Sequence, residues 1–79
     1  MRVLNVTVSK KEFDEIFSGK QDYHAGASFL DLNYKIVCFS EYNYFDRGRK
    51  FTMEIEEIIF LENRLPVIKL GSLLQTFNF

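Results

Sequence analysis

Val3-Leu4-Asn5-Val6-Thr7-Val8-Ser9-Lys10-Lys11-Glu12-Phe13-Asp14-Glu15-Ile16-Phe17-Ser18-Gly19 changes its period partway along, and that change decides the fold class. Leu4, Val6 and Val8 alternate with Asn5 and Thr7, the two-residue repeat of a half-buried, β-branched strand. Ser9 stands three residues before Glu12, the spacing of a capping box in which each side chain satisfies the other residue's free N–H. Phe13, Ile16 and Phe17 then recur at helical spacing, one apolar stripe facing a sheet. Gly19 follows the stripe, where a helix commonly ends on a left-handed residue. Strand, cap, face and stop agree, so residues 2–19 read as a strand and a capped amphipathic helix in an α+β chain.

Downstream the pattern is mostly β. Residues 20–33 are less regular, and Ala25-Gly26-Ala27-Ser28 reads as a loop or a short edge strand. Residues 34–44 carry Ile36-Val37-Cys38-Phe39, too short for a buried helix and read as a central strand. Residues 43–49, with Asp46-Arg47-Gly48, read as a hairpin loop. Residues 50–60 alternate again, with Phe51, Met53 and Ile55 opposed to Thr52, Glu54 and Glu56. The phase slips at Glu57-Ile58-Ile59, as it does at a bulge or a change of buried face. Pro66 marks a turn, Val67-Ile68-Lys69-Leu70 predicts a short strand, and Gly71-Ser72-Leu73-Leu74-Gln75 predicts a helical turn. Thr76-Phe77-Asn78-Phe79 reads as a tail ending on exposed aromatics.

Composition bounds the function. The chain of 79 residues reads as one domain, residues 1–79. A formal charge of −1 excludes a global electrostatic drive toward nucleic acid or anionic membrane, so any basic site is local. Nine Phe and four Tyr supply the large apolar areas that a small core needs. Cys38 is the single cysteine, which excludes an internal disulfide and a thiolate metal cluster and suits a reducing cytoplasm. Met1-Arg2-Val3-Leu4-Asn5 lacks the apolar run of a signal peptide, and no stretch is apolar enough to predict a membrane span.

Phe13-Asp14-Glu15-Ile16-Phe17-Ser18-Gly19-Lys20 resembles the F-x-x-I-x-S-G-K opening of ASCH domains, in the PUA-like superfamily. Ile36-Val37-Cys38-Phe39-Ser40-Glu41-Tyr42 is similar to their central strand, and Gly48-Arg49 with the strand after it to their hairpin. The resemblance spans roughly residues 3–60. It implies a small β-barrel or curved antiparallel sheet with one N-terminal helix, and an RNA or modified-base cleft beside the helix C-terminus. It also implies that Lys20 corresponds to the lysine some members use, with Thr and Glu, to hydrolyse modified nucleosides. The family's Lys-Thr-x-Glu-x-Arg reads here as Lys20-Gln21-Asp22-Tyr23-His24-Ala25-Gly26, with His24 near the Glu position and Gly26 near the Arg position. Tyr34-Lys35 replaces the usual Gly-Asp before the central strand.

Candidate chemistry follows from residue type. Lys20 is a phosphate-binding or catalytic lysine, or a solvated one complementing the helix C-terminus. His24 is a general base beside Asp22 and Tyr23, or a surface loop residue. Cys38 reads as a buried structural thiol. Glu54 and Glu56 fall on a solvated face with no histidine, so no metal is expected among Glu54, Glu56, Glu57 and Glu62. Tyr42, Tyr44, Phe45, Arg47, Arg49 and Lys50 interleave rings and cations around the hairpin, as a nucleic-acid surface or a protein-binding hot spot does. Paired tyrosines on a solvated hairpin would give the same pattern.

The sequence reading is therefore a non-enzymatic binding module for RNA or a nucleotide, without cofactor. It would use Lys20 and Tyr23 in the cleft, and Tyr42, Tyr44, Arg47, Arg49 and Lys50 around the hairpin and rim. The alternative is a phage- or mobile-element-encoded inhibitor that binds a host protein; the third reading is an amidohydrolase-like enzyme using Lys20. An exposed edge strand would let two copies pair as a homodimer.

Overall fold

The computed structural model describes residues 2–26, 34–42, 48–62 and 65–79. It holds β1 (Arg2–Val8), α1 (Lys10–Phe17), β2 (Tyr23–Ala25), β3 (Tyr34–Glu41), β4 (Lys50–Ile59) and β5 (Val67–Phe77). The strands form one curled, half-barrel sheet in the order β1-β3-β4-β5-β2, an α+β fold of the expected kind. Every pairing is antiparallel except β1 with β3, which run parallel. No helix among the described residues is long and apolar enough to cross a membrane.

The first unit forms as its period requires. Ser9 caps α1, its Oγ accepting from Glu12 N–H at 3.2 Å. The return half of the capping box is replaced, because the Glu12 carboxylate turns to His24 and Gln21. Ser18 caps the other end, and Gly19 follows at φ +85°, a left-handed turn that costs a residue without Cβ little.

The core lies between α1 and the inner face of the sheet. In β1 and β3, Leu4 pairs with Val37, Val6 with Phe39 and Val8 with Glu41, so partners share that face. Phe13 and Ile16 come down from α1 and are fully buried. Phe51 is the joint: its ring meets Phe13 at 4.8 Å edge-on, Phe39 at 5.4 Å and Phe17 at 5.3 Å. Such ring pairs add to plain area burial.

The phase slip in β4 is a bulge. Ile55 pairs with Leu70 and Glu57 with Lys69, so Glu56 is the extra residue. Inward-facing positions accordingly shift from Phe51, Met53 and Ile55 to Ile58, which also packs on the core.

Two expectations are corrected and a third holds in part. The helical turn expected at residues 71–75 is strand, because β5 continues past Leu70 to pair with Met53, Thr52, Phe51 and Lys50. Gly71 permits this, since a Cβ there would come within 3.0 Å of the Glu54 carboxylate and 3.4 Å of its Cβ. The sheet is mixed, because β1 and β3 enter it through the intervening helix and β2 rather than through a tight hairpin. The edge-strand reading of residues 20–33 holds for β2, while residues 27–33 lie outside the described residues, as do 43–47 of the expected hairpin loop.

Phe51→Ala should lower stability to urea by about 3–5 kcal/mol, from the ring lost and the cavity left. That is a large share of the ~4–12 kcal/mol typical for a domain of this length. A loss below about 1 kcal/mol in a urea melt would show that the ring is not the joint.

Candidate functional site

The register places two different surfaces at the end of the sheet where β3 stops and β4 starts. Ser40 pairs with Lys50, and Lys50 with Phe77, so these three residues make one rung across three strands. The rung lies on the outer face, opposite the core, because the inner face takes Phe39, Phe51 and Glu41. Tyr42, in the turn just past β3 and two residues beyond the buried Ser40, is 66% exposed. Phe77 is 43% exposed and Lys50 half-buried. Adjacent strands are about 4.8 Å apart, so the Ser40 and Phe77 backbones stand about 10 Å apart with Lys50 between them. One exposed ring, Phe77, thus stands beside Lys50, and Tyr42 is exposed at the same end of the sheet. The polar rung behind them consists of Asn5, Cys38, Thr52 and Gln75, with Thr52 Oγ1 accepting from Gln75 N–H at 3.1 Å.

Arg49 occupies the other surface. Its Nε donates to Glu41 Oε1 at 2.9 Å, and its Nη2 to the same oxygen and to Asp14 Oδ1 at 3.1 Å. Asp14 is held in turn by Lys10 at 3.2 Å, one helical turn earlier. The guanidinium lies 4.9 Å from the Phe13 ring centre and 5.4 Å from that of Phe79. Arg49 therefore ties α1, the end of β3 and the tail together. Lys10, and after it Arg49, hold the Asp14 carboxyl below its ordinary value, while Glu41 above all keeps Arg49 protonated. Arg49, expected as a rim cation, has its charge on two carboxylates, because Glu41 is buried and needs a counter-charge.

Two further readings change. His24 is buried, not a surface residue: Nδ1 lies 2.8 Å from Glu12 Oε2, and its ring stands edge-on to Phe39 at 5.6 Å. It pins β2 to α1. Cys38 is only half-buried and lies on the outer face, since its inward neighbours are Val37 and Phe39. Desolvation pushes its thiol up, against the nearby Lys50 charge, so it is a poor nucleophile.

The expected site residues do not converge. Tyr42 and Lys50 lie at the same end of the sheet, where β3 stops and β4 starts. Tyr23 is half-exposed on β2 opposite Lys69, eight residues from Phe77 along β5, or roughly 26 Å of strand. Lys20 is exposed in the turn after α1. Tyr44 and Arg47 lie outside the described residues. Phe77 and Phe79 were missed; the alternating rings of Phe77-Asn78-Phe79 were the available signal, concealed by the helical reading before them. Two shallow grooves of about 390 and 340 Å³ share Lys35 and Ile55 near the opposite end of the sheet. Among the described residues no group of three or more His, Cys, Asp or Glu is placed to hold a metal. No family model, no curated protein and no solved structure matches this chain.

Arg49→Lys keeps the charge but loses the fork that spans Glu41 and Asp14. It should cost about 1–2 kcal/mol in a urea melt, discounted because the side chain is part-exposed; an unchanged midpoint would contradict the tie. Iodoacetamide should alkylate Cys38 more slowly in the folded chain than in urea at pH 8, because a raised thiol pKa leaves less thiolate. Equal rates would contradict the desolvated thiol.

Proposed function

We propose that the protein is a non-enzymatic binding module for single-stranded RNA or nucleotides, working in the cytoplasm. The observation that carries the reading is the outer-face rung in which Lys50 lies beside exposed Phe77, with exposed Tyr42 at the same end of the sheet. Exposed rings on a sheet stack on bases whatever their sequence, and a lysine beside them meets the phosphate that links two stacked bases. The polar rung of Asn5, Cys38, Thr52 and Gln75 continues the platform with groups able to hydrogen-bond ribose or base edges. Tyr44 and Arg47, next along the chain, belong to the same proposal by sequence position. Tyr23 does not, because of the distance along β5, and Lys20, in the turn after α1, shares no strand register with the rung. The ASCH-like resemblance of residues 3–60 supports RNA over other flat ligands.

Exposed Leu73, Leu74 and Phe77 favour a second reading, a partner protein bound on the same region of β5, as an inhibitor of a host protein would be. Salt separates the two. Fluorescence anisotropy of a labelled hexauridylate should show affinity falling with salt, and Lys50→Ala should weaken binding and reduce the log–log slope by about 0.7. Tyr42→Ala should weaken binding by roughly five- to a hundredfold, the value of one stacked base. Absent or salt-independent binding of the RNA would remove this reading and leave the protein partner.

A further inference from the structure

Phe79 does not continue the strand before it. Asn78 has φ 61°, in the left-handed region that asparagine enters more readily than most residues, and its Nδ2 donates to Gly48 O at 3.1 Å. The chain turns back there and lays the Phe79 ring on Phe17, with centroids 4.6 Å apart at 27°. Phe13 is stacked beyond at 6.1 Å, and the Arg49 guanidinium reaches the same ring at 5.4 Å. Phe79 nonetheless keeps 55% of its surface exposed, so the core does not depend on it as it does on Phe51. What holds Phe79 is ring stacking and a cation face, contacts that any flat ring satisfies. A nucleobase is such a ring.

We infer that Phe79 is a removable cover on a base-stacking slot formed by Phe17 and Arg49, which a nucleobase of the bound strand enters by displacing it. The inference rests on the nucleotide-binding reading above and extends it around the rim of the sheet. Only Asn78 separates Phe79 from the platform ring Phe77, and Arg49 adjoins Lys50, so one strand reaches both places. While the cover is closed the slot is unavailable, and apparent affinity falls by the fraction of time it is open.

Anisotropy of labelled hexauridylate with wild type, Phe79→Ala and Asn78→Ala tests this. Asn78→Ala keeps the ring but removes the bond to Gly48 and strains the turn, so it decides the matter if Phe79→Ala does not fold. Both variants should bind roughly three- to tenfold more tightly, the worth of one displaced ring stack. Binding that is unchanged or weaker overturns the cover. If wild type binds with the salt dependence given above and the variants bind no tighter, the cover fails and the binding reading stands. If none of the three binds at low salt, both fall.

Discussion

Phe51 carries the helix on the sheet. Its ring touches Phe13, Phe17 and Phe39 at once, so the first and last turns of α1 are set against the two strands at the middle of the curl. In a chain this short, few residues are available to bury, and a large flat side chain does the most per position. The consequences run outward. With α1 seated, Asp14 faces the start of β4, and Arg49 finds both Asp14 and the buried Glu41 within reach. With Phe51 facing the core, Lys50 before it in β4 turns outward, since successive strand residues face opposite ways. The exposed platform is thus a product of the core.

Electrostatics and packing divide the basic hairpin residues into two roles. Arg49 suits a fixed tie because its planar fork spans two carboxylates and its face lies along rings. Lys50 is a point charge between Phe77 and Ser40, and under the proposed function it is the one that meets a ligand phosphate. Substituting Arg49 therefore disturbs the tie to Glu41 and Asp14 before it reports on any ligand.

Local periodicity made most of the fold legible. β1, the Ser9 cap, the α1 stripe, Gly19 and the alternation of β4 all declare themselves within a few residues, and the structure has each of them. The slip at residues 57–59 was a true sign of the bulge at Glu56. What stayed hidden depends on partners distant in sequence. Gly71 and two leucines look helical alone, and only the waiting edge of β4 makes them strand. His24 looks like a loop residue until Glu12 and Phe39 enclose it, and the inward turn of Arg49 needs Glu41 to be buried. Two of the three candidate residues, Tyr42 and Lys50, are legible in the sequence, whereas Phe77 joins Lys50 only through cross-strand register.

Under the proposed function, ligand contact falls on the outer-face rung at the end of the sheet where β3 stops and β4 starts. Titrating the labelled protein with hexauridylate and following backbone amide shifts by NMR tests it most directly. The account predicts the largest shifts at Tyr42, Lys50 and Phe77, with β2 little changed. Shifts centred on Lys20 and Tyr23, or none at saturating RNA, would contradict it.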